Sequence, residues 1–515
     1  MKPKRGKISG KTPEAKWRLT ALVPILLPAA ILLAALVFRT VSLSTFDPLF
    51  DEEITRDVVA GIWHGEWSNN WKYTVTAPEY RVDMYNFSSY MYADGLIAGL
   101  AGKLASPLPN GNPDFVYWSR LLSALTGTLA VYLFYLLARH LFTPRTAIVA
   151  TILIAAMPLL VQDSHYARPE AFVAALTGAA YFFLLRFDSQ HDRLRNLAYS
   201  GFCFGLLIAC KISLAPMALL PFVFAVRLQD RRLLLRAAAV CGAGILLGAF
   251  LGVPHAFFHP AAYWHGVQTL RAQYAGDHRP HASIDSTNSM SLTATYFWQT
   301  TGLLLPLALA GAIVLARKRQ LLLLGAIGGP VAFYLVYFGL QRTFFERNLS
   351  HVAPLAAILA AVAIAAVSEA IPAKARVAAL VALVALTAAP AAWTSGKLVF
   401  AALRESPDRR AAPYEASLQQ KLQRKIDGAI TLFRDADRDT MLGLAATPGY
   451  DVFLRVGDYH DSFTKKHLEE VQQRTSWREV GYFPSVFEGY DVSTLIAYHA
   501  VSFHYLLLHT PAPAR

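Results

Sequence analysis

The sequence predicts a polytopic α-helical membrane protein of about eleven transmembrane helices, followed by a small C-terminal α/β domain outside the cytoplasm. Three observations predict this. The chain has 515 residues, of which 55% are hydrophobic and only 16% charged, against about 25% charged in an average soluble domain. Apolar runs of about 17–25 residues, each long enough to cross a ~30 Å hydrocarbon layer, recur from Leu19 almost to Trp393. Beyond them, residues 395–515 change to a mixed polar composition with short apolar runs.

Apolar runs separated by charged loops place helices near 19–38, 117–138, 146–162, 169–187, 197–210, 212–227, 233–254, 291–315, 320–340, 352–368 and 376–394. Residues 1–18 hold seven Lys/Arg against a single acid, Glu14. Basic residues flanking a span keep that side in the cytoplasm, so the formal net charge of +13 is read as topology, and nucleic acid is not expected as a partner. The first apolar run lacks a small-x-small cleavage site and is read as a retained helix, not a signal peptide. With the N-terminus inside, five inner loops hold 14 Lys/Arg in 41 residues and the outer segments 11 in 134. That asymmetry supports the orientation in an inner (plasma) membrane and leaves 395–515 on the outer face. The domains read as a basic tail 1–18, a transmembrane module 19–394 with a long outer loop 39–116, and an outer domain 395–515.

Within the long outer loop, Ile54, Val58, Ile62 and Trp63 share one helical face, which predicts a helix over 52–66. Residues 87–105 are apolar but contain Asp94 and Lys103, and read as a juxtamembrane or re-entrant helix rather than a span. In the outer domain, a helix-period stretch near 415–427 precedes the apolar run Ala429–Phe433, and a polar helix near 463–474 precedes the run Thr494–Leu508. Cys203, Cys210 and Cys241 all lie in apolar spans and imply no disulfide framework.

The middles of the predicted spans carry no Asp, Glu, Lys or Arg. Ion-coupled transporters place such groups near the bilayer midplane, which weighs against transport. The polar chemistry gathers instead at outer helix ends, where a substrate with a lipid tail and a polar head would meet it. Asp51-Glu52-Glu53 follows the first span; Asp51 reads either as the cap of the next helix or as a general base able to take a proton from an attacking hydroxyl or amine. Asp163-Ser164-His165-Tyr166-Ala167-Arg168-Pro169-Glu170 lies between two spans, with Pro169 and Glu170 suited to a helix first turn. Lys211 and Arg347 stand alone at outer helix ends, positions suited either to snorkelling toward headgroups or to holding a leaving phosphate. His255, His259, His265, His278 and His281 match no standard zinc spacing.

These residues resemble a known group. A basic tail, one span and then Asp-Glu in a long outer loop is similar to the GT-C glycosyltransferases, and more closely to bacterial relatives of protein O-mannosyltransferases and lipid A aminoarabinose transferases. Trp118-Ser119-Arg120-Leu121-Leu122-Ser123-Ala124-Leu125 resembles their Arg-Leu-x-Ser-Ala-Leu segment at helix 2. Tyr166-Ala167-Arg168-Pro169-Glu170 resembles their Arg-Pro-Asp segment, with Glu for Asp. Cys210-Lys211-Ile212 is similar to a Thr-Lys-Tyr turn, and Glu346-Arg347-Asn348 with Pro354 to an Arg-Tyr-Leu-Leu-Pro segment. The likeness runs over about residues 19–365. Two departures stand out: Tyr85-Asn86-Phe87-Ser88-Ser89-Tyr90 replaces the usual His-Pro-Pro-Leu, and Asn348 replaces the usual Tyr.

The resemblance implies inverting transfer of a sugar from a polyprenyl-phosphate donor to a glycan, lipid or protein acceptor at the outer face. It implies Asp51 as base aided by Glu52, with Glu170 positioning acceptor or base. Lys211, Arg347 and Arg168 would hold the leaving phosphate, and Asp163, His165 and Arg120 would complete the polar site. It implies no certain cofactor and leaves a divalent metal open. Two other readings share this hydropathy: a transporter or flippase of lipid-linked glycans, which moves its substrate without bond cleavage, and a non-catalytic receptor or assembly factor, which tolerates neutralised acidic clusters.

Overall fold

The computed structural model describes residues 14–41, 43–44, 50–63, 89–105, 114–189, 194–258, 260–275, 289–342, 345–402, 407–431, 435–445, 451–458, 462–474, 477–485 and 501–509. The first half comprises α1 (Glu14–Thr40), α2 (Phe50–Trp63), α3 (Ser89–Ala105), α4 (Phe115–Leu141), α5 (Pro144–Ala155), α6 (Pro158–Asp163), α7 (Glu170–Ser189) and α8 (Leu194–Cys210). A 3-10 helix, Ile212–Leu219, leads into α9 (Leu220–Ala225), α10 (Arg231–Gly252), α11 (Pro254–Phe258) and α12 (Pro260–Ala275). Then come α13 (Ser289–Thr301), α14 (Leu304–Arg317), α15 (Leu321–Gly339), a 3-10 turn at Glu346–Leu349, α16 (Ala353–Ala370) and α17 (Ala373–Ala402).

The eleven apolar runs all fall on helix. Among the described residues, six helices, α4, α7, α10, α15, α16 and α17, are long and apolar enough to cross a membrane, or seven segments if α13 and α14 count as one, which does not confirm a count of eleven. The described part of α1 (Leu26–Thr40), α5, α8 and the segment Ile212–Ala225 are shorter apolar helices. Hydropathy reports apolar content and not where the backbone breaks. The predicted 146–162 helix is interrupted before Pro158, whose ring has no N–H to continue the ladder. The predicted 291–315 helix bends by 98° between α13 and α14, at Gly302, whose φ of +57° is costly for a residue with a Cβ. The predicted 52–66 helix begins at Phe50, so Asp51 lies inside its first turn and does not cap it; residues 64–66 lie outside the described set. The reading of 87–105 agrees with α3, which is not among the six spanning helices.

Small residues let the backbones close up, as van der Waals packing between membrane helices requires. The Ala-rich α16 is buried from Ala353 to Ile364. A Cβ on Gly311 of α14 would come within 1.9 Å of the Leu359 carbonyl oxygen on α16. Between α8 and α10, Gly201, Gly205, Gly244 and Gly248 bring the two backbones together.

The C-terminal part forms a small α/β unit: α18 (Pro407–Leu422), β1 (Gly428–Thr431), α19 (Asp435–Ala445), β2 (Asp451–Asp458), α20 (Ser462–Arg474), β3 (Trp477–Phe483) and β4 (Ser502–His509). The sheet order is β1-β2-β4-β3, with β1 parallel to β2 and β4 antiparallel to both neighbours. Arg455 on β2 ties α18 to the sheet through Glu415 at 2.8 Å and Asp408 at 2.9 Å. The expected polar helix near 463–474 coincides with α20. The run Thr494–Leu508 contains β4, its residues 494–500 lying outside the described set.

Two expected outcomes follow from this packing. Gly248→Ala drives a methyl to within 2.2 Å of the Phe202 carbonyl oxygen, so overpacking costs about 1–3 kcal/mol and lowers the melting temperature in detergent. Gly242→Ala, with nothing within 4 Å, leaves it unchanged or slightly raised. In the tail, His504 Nδ1 lies 2.6 Å from Glu479 Oε2 and Nε2 lies 3.5 Å from Asp458 Oδ2. Burial acts to lower its pKa, but hydrogen bonding and charge from Asp458 and Glu479 outweigh burial and raise it. The stabilisation is therefore complete below the unfolded value of about 6.5 and is lost as pH rises through the raised folded value. Unfolding of wild type and His504→Gln should differ most near about pH 5 and converge in alkali; a pH-independent difference would contradict this.

Candidate active site

The site begins with one buried carboxylate. Glu52, in the first turn of α2, is fully buried and accepts from Arg120 Nε at 2.8 Å, from Arg120 Nη2 at 2.7 Å and from the Ala167 backbone N–H at 2.8 Å. Arg120, projecting from α4, donates through Nη1 to the Leu43 carbonyl at 2.7 Å. Thr55, one residue short of a turn further along α2, donates to the Ala167 carbonyl at 2.9 Å. Both backbone groups of Ala167 are thus held by α2, which fixes the 164–169 loop against the start of the outer segment. The far end of α2 is held by α3: Trp63 Nε1 donates to the Gly95 carbonyl at 2.7 Å, and Ile62 and Trp63 sit where Cβ atoms on Gly95 and Gly99 would be.

A second set of contacts closes on the same loop. Lys211, at the end of α8, donates to Glu170 Oε1 at 2.7 Å and lies 3.5 Å from Asn348 Oδ1. Arg168 lies 3.9 Å from Glu170 and 3.8 Å from Asp163, with its guanidinium over the Tyr166 ring. Arg347 exerts its charge on Glu170 from the 3-10 turn and stacks on Phe345 at 4.5 Å. Ser350 donates to Asp163 at 2.5 Å, and Gln162 donates to Glu346 at 3.2 Å. These two bonds bind the end of α6 to the 346–351 segment, so Arg168, Lys211 and Arg347 arrive together although 179 residues separate the outer two in sequence (347 − 168).

Of the residues singled out in the sequence, Glu52, Arg120, Asp163, Arg168, Glu170, Lys211 and Arg347 join in this network. His165 sits beside it, its ring nitrogens facing the Val161 carbonyl at 2.8 Å and the Val41 carbonyl at 3.2 Å, which links the loop to the end of α1. Asp51 occupies the first turn of α2 next to Glu52; its side chain lies outside the described set, as does that of Glu53. His265 is exposed on α12, the side chain of His255 is outside the described set, and so are His259, His278 and His281. Among the described residues, no three His, Cys, Asp or Glu side chains are grouped so as to hold a metal ion.

Sequence reasoning missed several contributors. Gln162 and Ser350 are uncharged, and their only signal was adjacency to Asp163 and to Arg347-Asn348. Asp94 accepts from Ser119 at 2.7 Å, a contact between α3 and α4 that no spacing rule announces. Arg39 was counted only as a loop charge. It is fully buried, donating to the Ala35 carbonyl at 3.1 Å and the Ala155 carbonyl at 3.3 Å.

The helical bundle brings carboxylates and cations together at helix ends and is followed by a small α/β unit. Residues 114–258 match the family model for dolichyl-phosphate-mannose-protein mannosyltransferase. In fold, the chain is similar to ArnT from Cupriavidus metallidurans, at 14% identity and TM-score 0.54, covering 95% of this chain and 98% of ArnT. The same ArnT bound to undecaprenyl phosphate is matched at 12% identity and TM-score 0.50, over 94% and 98% of the two chains. The oligosaccharyltransferase of Archaeoglobus fulgidus is matched at 15% identity and TM-score 0.55, over 78% of this chain and 58% of that one. No curated protein matches the chain by sequence. The chain is thus a multi-pass membrane protein that shares its fold with ArnT and the Archaeoglobus fulgidus oligosaccharyltransferase, and its residues 114–258 are similar to the mannosyltransferase family model.

The Glu52–Arg120 pair supplies a direct stability test. Removing one partner of a buried pair strands the other charge and costs about 3–5 kcal/mol, whereas replacing both by apolar groups is far cheaper. Arg120→Leu should therefore melt well below wild type, and Glu52→Leu/Arg120→Leu should recover much of the loss. Additive losses in the double variant would count against the pair as the source.

Proposed function

We infer that the protein is a glycosyltransferase that takes its sugar from a polyprenyl-phosphate donor at the outer face of the membrane. The observation that carries this reading is the convergence of Lys211, Arg168 and Arg347 around Glu170. Fixed cations at the end of a membrane bundle suit a phosphate on a lipid tail, and the GT-C fold supports the same chemistry. The structure of ArnT bound to undecaprenyl phosphate is consistent with a donor of this class.

In the proposed reaction, an acceptor hydroxyl or amine attacks the anomeric carbon from the face opposite the phosphate. The new bond forms as the bond from that carbon to the phosphate oxygen breaks, which inverts the configuration. The electron pair passes to the polyprenyl phosphate, whose growing charge Lys211, Arg347 and Arg168 stabilise. Asp51 takes the acceptor proton as general base. Glu52 acts through position: with its oxygens engaged by Arg120 and Ala167, it anchors the first turn of α2 that also carries Asp51. Asp163 and His165 hold the loop that bears Arg168. The proposal includes an inner-membrane location, a cytoplasmic N-terminus, and an outer α/β tail that shapes access for a glycan, lipid or protein acceptor.

The test is release of free polyprenyl phosphate from a panel of polyprenyl-phosphate sugars, followed by mass spectrometry on protein in nanodiscs with an acceptor-containing membrane extract. Wild type should release it. Asp51→Asn should fold normally and lose activity by at least about a hundredfold, the scale of general-base catalysis. Near-normal turnover in Asp51→Asn would remove Asp51 as base; substrate movement across the bilayer without release would favour a flippase instead.

A further inference from the structure

Three cations around one carboxylate is an arrangement with a charge logic of its own. Lys211 donates a hydrogen bond to Glu170 at 2.7 Å, and Arg168 stands 3.9 Å off. Glu170 is 4% exposed and Lys211 21% exposed. The carboxylate is therefore inside and the lysine at the accessible edge. The groups facing Glu170 are Lys211 from α8, Arg168 and Asp163 from the α6–α7 connection, Arg347 from the 3-10 turn, and the neutral phenol of Tyr90 from α3. Glu170 thus subtracts one unit of charge from the cations at the place where they converge.

That subtraction matters because the two lipid phosphates of the proposed reaction differ in charge. A polyprenyl-phosphate sugar is a phosphodiester and carries one negative charge. The polyprenyl phosphate left after transfer is a monoester, with a second ionisation near pH 6, and approaches two negative charges above neutrality. Opposed charges a few ångströms apart in a partly buried site interact strongly, so the second charge on the product meets the fixed Glu170 carboxylate as well as the cations.

We propose that Glu170 lowers the positive charge of the site by one unit, so that the monoester dianion is held less tightly than the cations alone would hold it. The role is substrate-versus-product discrimination and easier product release, and it rests on the reading of the site as a polyprenyl-phosphate sugar site. Glu170 is here a specificity-determining residue that acts through its charge.

The test compares binding of undecaprenyl phosphate and of its methyl ester, a diester, to full-length protein in nanodiscs at about pH 8. Glu170→Gln should tighten the monoester at least about tenfold and the diester distinctly less, shifting the preference toward the monoester. An equal effect on both ligands, or a loss on both, would overturn the proposal, since a carboxylate that merely props up Lys211 has no means of telling one charge from two. If wild type binds neither ligand, the polyprenyl-phosphate reading itself fails and takes this inference with it. A charge-conserving variant controls for a general effect of substitution: Glu170→Asp should keep the wild-type preference between the two ligands within about twofold, and a shift as large as that of Glu170→Gln would also overturn the proposal.

Discussion

The arrangement depends first on the cost of burying a charge. Glu52 and Arg120 are both nearly inaccessible, and either alone would be severely destabilising in that position. Their geometry is accordingly complete: a two-point contact between guanidinium and carboxylate, a third bond to the carboxylate from Ala167 N–H, and a bond from the guanidinium to Leu43. Because these groups come from α2, α4, the 164–169 loop and the segment after α1, satisfying one ion pair fixes four parts of the chain. The loop so fixed carries Arg168, and Glu170 opens α7 directly after it. The Asp163–Ser350 and Gln162–Glu346 bonds extend the same principle to the turn that carries Arg347.

The fold class was legible because it rests on composition and period. Eleven apolar runs announced the bundle, and the polar tail with its short apolar runs announced the sheet. What could not be read was backbone continuity. Pro158 and Gly302 break runs whose mean hydropathy is uninterrupted, since a bend is set by one residue's φ or missing N–H while hydropathy is set by twenty side chains. The candidate site was legible in its charged members because a charge between two apolar runs is conspicuous. Gln162, Ser350 and Thr55 were not, because a neutral polar side chain near a membrane end is common and becomes informative only once its partner, from a distant part of the chain, is known. The pairing of Glu52 with Arg120 spans 68 positions, which no local pattern encodes.

Two kinds of packing divide the molecule. In the bundle, α8 against α10 and α14 against α16 meet through glycines that place backbone against backbone, and such contacts tolerate almost no added volume. At the polar end, contact is made by directional bonds between long side chains. Close packing thus holds the bundle, and hydrogen bonds between distant segments hold its polar end. The 98° bend between α13 and α14 interrupts the bundle at Gly302.

In the proposed reaction, the adjacent acids Asp51 and Glu52 divide chemistry and structure within a single helix turn. Successive helical positions are about 100° apart, so the turn anchored by the Glu52 ion pair carries position 51 in a different direction. The lock also limits what Glu52 can do, since its two oxygens already accept three hydrogen bonds. A base must instead keep a lone pair for the incoming proton. If chemistry resides in this turn, it therefore falls to the neighbour that the ion pair positions without using. The same reasoning separates Glu170 from Asp51: a carboxylate already bonded to Lys211 is suited to setting charge, and poorly suited to accepting a proton from substrate.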